Sequence, residues 1–292
     1  MSETSYLVIT GRTLLVGKQP DGDSVRFVPD DPSLLGRLQH GERADVSGDG
    51  GVQLRFDGID APEVHYQGLA QPLGTRARDL LLERLGHTGV TFGADGATVV
   101  SAEPATVPIV VLAQLVEVNG RPVSVVFSGA AAEALRTSAG QRVELSDALL
   151  ERSVNLWEAA EGVVYPLLYT STSAALQAVF RSAARAARSA RRGVWAQDAT
   201  PSFPVTTPAA LGPGGVLIWP KLFRRAVDHL HRRRPGQTLP EWLAATPLQD
   251  DDLIVPSGDQ DAGPVPLHLL LRQVGQQVDL LVDVIEVTVV ER

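Results

Sequence analysis

The sequence contains no cysteine, which excludes disulfides, thiolate metal centres and cysteine nucleophiles. It has no apolar run approaching the ~18 residues of a membrane-spanning helix, so no membrane partner is expected. The first residues, Met1-Ser2-Glu3-Thr4-Ser5, lack the basic stretch and apolar core of a secretory signal. A soluble cytoplasmic protein is the expectation. Positive charge is in deficit as well, with a net charge of −8 over 292 residues. That balance argues against indiscriminate binding to DNA or RNA, unless basic residues gather on one face.

The length suits one large domain or two ordinary ones. Residues 6–28 alternate apolar and polar side chains around the turn Gln19-Pro20-Asp21-Gly22, the pattern of a β-hairpin. Residues 29–51, rich in Asp, Gly and Pro, read as an excursion between strands. Residues 52–59 read as a strand ended by Asp60-Ala61-Pro62-Glu63, since proline removes a ladder donor and restricts the residue before it. The segment Gly74–Leu85 sets Ala77, Leu80, Leu81 and Leu85 at helical spacing. Short β-type runs follow at 90–92, 109–118 and 122–127. Residues 145–161 and 171–192 read as helices, the second stopped by Gly193.

Beyond Trp195 the composition changes. Residues 200–215 hold four prolines and three glycines, which reads as a linker. A basic helix near 217–234, an acidic turn at Asp250-Asp251-Asp252 and a strand-like run over 278–290 follow. Many short strands with a few helices predict a closed antiparallel barrel dressed with helices, an α+β fold. The expected organisation is a barrel domain over 1–198, a linker over 199–215 and a C-terminal α/β module over 216–292, through which a protein partner could bind.

Two acidic motifs carry the candidate chemistry. Asp21-Gly22-Asp23-Ser24 opens one strand, Asp60-Ala61-Pro62-Glu63 closes another, and Arg55 precedes the second by five positions. Hard cations such as Ca²⁺ take several oxygen ligands, which carboxylates at adjacent strand ends supply. A further carboxylate can act as general base on water, and arginines can clamp a phosphate. Taken singly, each piece has a plainer reading: Asp-Gly-Asp as a turn, Asp-Ala-Pro-Glu as a solvated strand exit, Arg55 as the partner of a neighbouring acid.

In combination the motifs resemble the staphylococcal-nuclease (thermonuclease) family. Asp21-Gly22-Asp23-Ser24-Val25, Arg55 followed by Asp60-Ala61-Pro62-Glu63, Gly120-Arg121, Ser153-Val154-Asn155, Gly162 and Gly193-Val194-Trp195 recur in that family's order across about residues 6–198. The resemblance implies a five-stranded OB-fold-type barrel with insertions near 30–50 and 129–146. It implies a Ca²⁺-dependent nuclease acting on DNA, RNA or both. Asp23, Asp60 and the carbonyl of Ala61 would bind calcium, and Glu63 would position or activate water. Arg55 and Arg121 would bind the scissile phosphate, with Asp21 in support. Tyr165 and Tyr169 stand near the family's nucleotide-contacting tyrosines. The alternative is a non-catalytic nucleic-acid- or protein-binding module that retains the barrel, or one in which residues 201–292 do the work.

Arg181, Arg185, Arg188 and Arg192 form one stripe on the predicted helix over 171–192. It reads equally as a solvated face or as a strip that binds nucleic-acid backbone. Arg224, Arg225 and Arg232-Arg233-Arg234 make a second basic cluster. His229 and His231, two apart on a helix, do not share a face. Gly11–Lys18 fails as a phosphate loop, because Gln19 stands where Ser or Thr must reach Mg²⁺.

Overall fold

A computed structural model describes residues 5–256 and 263–291; the signal-free reading of Met1 to Thr4 lies outside them. The strands are β1 Ser5–Thr13, β2 Arg26–Pro29, β3 Val52–Gln53, β4 Arg55–Phe56, β5 Gly58–Asp60, β6 Thr91–Phe92, β7 Val99–Ser101, β8 Pro108–Val116, β9 Pro122–Ser128, β10 Arg142–Glu144 and β11 Tyr165–Leu167. They continue with β12 Ser202–Pro204, β13 Asp252–Ile254, β14 Val265–Pro266, β15 Leu271–Val274, β16 Gln277–Leu280 and β17 Thr288–Val289. The helices are α1 Gly74–Leu85, α2 Gly129–Arg136, α3 Asp147–Leu150, α4 Val154–Glu161, α5 Ala174–Ser189, α6 Pro220–Arg232 and α7 Leu239–Ala244. The chain forms two compact units, one of Met1–Asp57 with Arg76–Glu158 and one of Gly58–Thr75 with Ala159–Arg292.

The first unit is a barrel-like sheet. Its strands lie in the order β3-β2-β1-β8-β9-β4, with β10 on the far part of β1. β3 and β4 are successive stretches of one extended segment. They are joined through Leu54, whose N–H donates to the Val25 carbonyl at 3.0 Å. That segment runs antiparallel to β2 on one side and parallel to β9 on the other, so the sheet nearly returns on itself. This explains why β1, β8 and β9 are rich in Val and Ile with little alternation. One face fills the barrel while the other lies under helices such as α2, and buried two-sided strands read as continuous apolar runs. The stretches expected as insertions are ordered, with ³10 turns at Pro32–Arg37 and Gly41–Arg43, and with α2 and β10.

The predicted helix over 145–161 is two helices. Ser146 caps α3, and Ser153 restarts the chain as α4 by accepting from Leu156 N at 3.1 Å. Two residues on, the fully buried Asn155 spends its whole amide on the barrel backbone. Its Oδ1 accepts from Val126 N at 2.8 Å, and its Nδ2 donates to Asp57 O at 2.9 Å and Ser124 O at 3.0 Å. Ser153-Val154-Asn155 is thus a cap followed by a polar rivet.

The second unit packs around Phe203, Trp219, Phe223, Trp242, Val278 and Ile285. β12-β16-β15 and β14-β13-β17 make two small antiparallel sheets, and β11 pairs with β5. α6 starts at Pro220, a good first helical residue, and α7 has a capping box between Thr238 and Glu241. Residues 199–215, linker-like in composition, contain β12 and the buried Phe203, Val205 and Leu211. The strand-like run over 278–290 is broken. β16 ends at Leu280, a turn closes from Glu286 N to Asp283 O at 3.0 Å, and β17 resumes at Thr288. Apolar alternation continues through the turn, and an aspartate side chain bonded to Ile285 N stabilises it against extension.

Asn155→Ala removes the hydrogen bonds to Val126 N, Asp57 O and Ser124 O, the last of which still accepts from Asp57 N, and should cost about 2 kcal/mol. Asn155→Asp should cost more, because it sets a carboxylate against two carbonyl oxygens. Denaturant unfolding checks both; an aspartate variant as stable as wild type would remove the rivet from the account.

Candidate functional site

The predicted residues divide between the units. Asp21, Asp23, Arg55 and Arg121 belong to the first; Asp60, Ala61 and Glu63 belong to the second.

In the first unit, Asp21-Gly22-Asp23-Ser24 is a tight turn. Gly22 N donates to Asp21 Oδ1 at 2.8 Å, and Asp21 N donates to Ser24 O at 3.1 Å. The Asp23 carbonyl accepts from Phe56 N at 3.1 Å, which ties the turn to β4. Arg55 leads β4 opposite Val123 of β9. Arg121 lies just before β9, after a turn at Gly120, whose φ of 81° suits glycine. Around it is a residue the sequence reading passed over, the buried Glu117. Its Oε1 accepts from Arg121 Nε at 2.9 Å and its Oε2 from Asn119 Nδ2 at 2.7 Å. Burial alone would raise the Glu117 carboxyl, but Arg121, Asn119 and the charge of Arg55 together hold it below the usual range. Glu117 therefore holds Arg121 directly and feels the charge of Arg55. The i, i+4 spacing of Glu117 and Arg121 across a glycine turn was the available signal.

Among the described residues of this unit, one buried carboxylate has no hydrogen-bond partner. Glu158 of α4 is fully buried, and neither oxygen makes a hydrogen bond. Burial, and then the charge of Asp23, push its carboxyl well above the ordinary 4.5, with Arg84 opposing. Burial therefore favours its protonated form in the folded state.

In the second unit, Asp60 ends β5 opposite Tyr165 of β11 and is almost completely buried. Pro62 breaks the strand. Gln71 then fixes Glu63: its Oε1 accepts from Glu63 N at 3.1 Å, while its Nε2 donates to Ile218 O at 2.8 Å. α1 begins against this backbone at Gly74, where a Cβ would stand 2.3 Å from the Glu63 carbonyl. The two carboxylates share one cation, Arg224 of α6. Its guanidinium donates to Asp60 Oδ1 at 3.2 Å from both terminal nitrogens, to Asp60 Oδ2 at 3.1 Å, and to Glu63 Oε1. Burial, with Asp60 adding, raises the Glu63 carboxyl despite Arg224. Burial would lower Arg224, but the two acids hold it firmly protonated.

The remaining predicted residues also lie in the second unit. Tyr165 is a core ring, edge-on to Trp195 at 5.1 Å, and its hydroxyl donates to Asp198 at 2.9 Å. With no exposed surface it offers no face to a nucleotide in this fold. Tyr169 is partly buried, its ring 5.7 Å from Lys221 Nζ. The arginine stripe binds the chain's own C-terminal segment. Arg181 donates to the carbonyls of Ile285 and Glu286 at 3.0 and 3.1 Å, Arg185 pairs with Glu286, Arg188 pairs with Asp283, and Arg192 donates to Ala160 O at 3.0 Å.

An oxygen-only donor set suits a hard cation, and Asp60 with Glu63 already converges on a positive group. Among the described residues, no group of three or more His, Asp or Glu side chains is spaced to hold a metal by itself, so calcium there would draw on carbonyl oxygens such as that of Ala61. Among these residues, no helix is long and apolar enough to cross a membrane. In comparisons of the sequence with protein-family models and with curated proteins, nothing matches.

Glu158 sets a pH dependence. A carboxyl raised on folding stabilises the fold most where the unfolded chain also keeps its proton, below about 4.5, and its contribution falls as pH rises from there. Glu158→Gln, a neutral mimic, should gain thermal midpoint over wild type at pH 8 relative to pH 5. An identical difference at the two pH values would show that Glu158 is not held protonated.

Proposed function

We propose that the protein is a calcium-dependent nuclease that hydrolyses phosphodiester bonds of DNA, RNA or both. The observation that carries this reading is the convergence of Asp60 and Glu63, on either side of Pro62, upon a single positive charge. Two carboxylates aimed at one cationic position are what a cation-assisted phosphodiesterase requires of its acid pair. The ordered recurrence of the nuclease-like motifs supports it, as does the barrel-like sheet, whose extended segment 52–56 is antiparallel to one neighbour and parallel to the other, an arrangement that suits an OB-type barrel.

On this reading the resemblance assigns calcium to Asp23, Asp60 and the Ala61 carbonyl, with Asp21 in support. Bound calcium would polarise the phosphodiester and the attacking water. Glu63, its basicity already raised by burial, takes the proton of that water. Arg55 and Arg121 donate to the phosphate oxygens, where negative charge grows in the transition state. For Arg121 this means exchanging Glu117 for phosphate, a carboxylate for a chemically similar anion.

One observation favours a second reading. Arg224 already occupies the acid pair, as it would in a binding module that has given up turnover. The assay that separates the readings is degradation of plasmid DNA and of RNA at saturating Ca²⁺ and in chelator. Glu63→Gln and Arg55→Ala should each lower Ca²⁺-dependent turnover by about 10²-fold or more while remaining folded. Binding of either nucleic acid without cleavage at any Ca²⁺ concentration would establish the second reading and end the first.

A further inference from the structure

The contacts of α6 single out Arg224. Its neighbours in sequence are satisfied elsewhere: Arg225 donates to Asp251 at 2.8 Å, and Lys221 pairs with the same acid at 3.0 Å. Of these three cations, Arg224 is the one that turns to the acids at the end of β5 and just after it. One helical turn on, the buried Asp228 accepts from Tyr66 Oη at 3.0 Å and from Gln67 Nε2. His231 Nδ1 lies 2.8 Å from Gln67 Oε1, and Gln71 holds Ile218 just before the helix. The helix is therefore docked on the 60–71 segment by several contacts that do not involve Arg224, and Arg224 is delivered to the acid pair by a built interface.

The charges at the pair do not balance. Asp60 and Glu63 bring two negative charges into a site where Asp60 is 4% exposed, and one guanidinium returns a single positive charge. A divalent cation would return two. A guanidinium fork also occupies the oxygens such a cation needs, since it takes both oxygens of Asp60 and one of Glu63.

We propose that Asp60 and Glu63 form a cation site whose occupant in this fold is the chain's own Arg224, and that a divalent cation binds there only by displacing that side chain. The proposal rests on the calcium reading above and deepens it: Arg224 sets the threshold of cation concentration at which the site loads. Because α6 is anchored independently through Asp228 and Gln71, the side chain can swing out while the helix stays docked. An internal competitor weakens the apparent affinity by the fraction of molecules in which it has withdrawn.

The test is calorimetric titration of the full-length chain with CaCl₂, alongside thermal unfolding in chelator and in Ca²⁺. Arg224→Met should bind Ca²⁺ at least about tenfold more tightly than wild type, lose thermal stability in chelator and recover it in Ca²⁺. The gain should vanish in Arg224→Met/Asp60→Asn. Equal affinity in wild type and Arg224→Met, lowered in both by Asp60→Asn, overturns the competition and leaves the cation site standing. No Ca²⁺ binding in either chain overturns the calcium reading itself. Should Arg224→Met fold only when Ca²⁺ is present, that rescue supports the proposal. Should it fail to fold in both conditions, Arg224→Lys decides: a point charge cannot bridge both acids, so tighter Ca²⁺ binding than wild type is expected, and unchanged affinity refutes the competition.

Discussion

Two carboxylates, Asp60 and Glu63, are placed out of water on either side of a proline, and a charge in that position must be met by another charge or by protons. Much of the second unit answers this demand. Arg224 supplies the charge, Asp228 and Gln71 secure the helix that carries it, and Gly74 lets α1 start against the Glu63 carbonyl. Buried ion pairs seldom add much net stability, because desolvation offsets their attraction. Breaking this one is another matter, since removing Arg224 would leave two buried acids without their shared cation.

The same logic runs through the other charged groups. Glu117 gathers Arg121 and Asn119, and the stripe Arg181, Arg185 and Arg188 secures the turn between β16 and β17. In an acidic chain, arginines that look like a phosphate-binding stripe in sequence are taken up by the chain's own acids and carbonyls. The pairs of Arg185 and Arg188 are exposed and are worth little individually, so an anion could exchange with them. Arg181 is different, because its partners include the backbone carbonyls of Ile285 and Glu286 as well as Thr288 Oγ1. Glu158 is the exception to this pairing: a buried acid without a hydrogen-bond partner, whose carboxyl burial and the charge of Asp23 push towards its protonated form.

Local pattern revealed a good deal. The helical spacing of Ala77, Leu81 and Leu85 matched α1 at both ends, and the apolar runs at 109–118 and 122–127 became β8 and β9. Those features depend on neighbours a few residues away, which a linear reading can see. It erred where a polar group redirects the chain, at Ser153 between α3 and α4 and at Asp283 between β16 and β17. Proline and glycine content over 199–215 read as a linker and said nothing of Phe203 and Leu211, whose burial depends on distant partners.

By itself the sequence determined the inventory: no thiol chemistry, an α+β set of elements, and acids and arginines in an order that resembles a phosphodiesterase. Only the tertiary structure decided what those charges do. Asp60 and Arg224 are 164 residues apart, and Asn155 reaches the Asp57 carbonyl over 98. No periodicity spans such distances. The chain brings these groups together because a buried charge or a buried amide must find its complement, and the complement is chosen by which elements pack, not by which residues are adjacent.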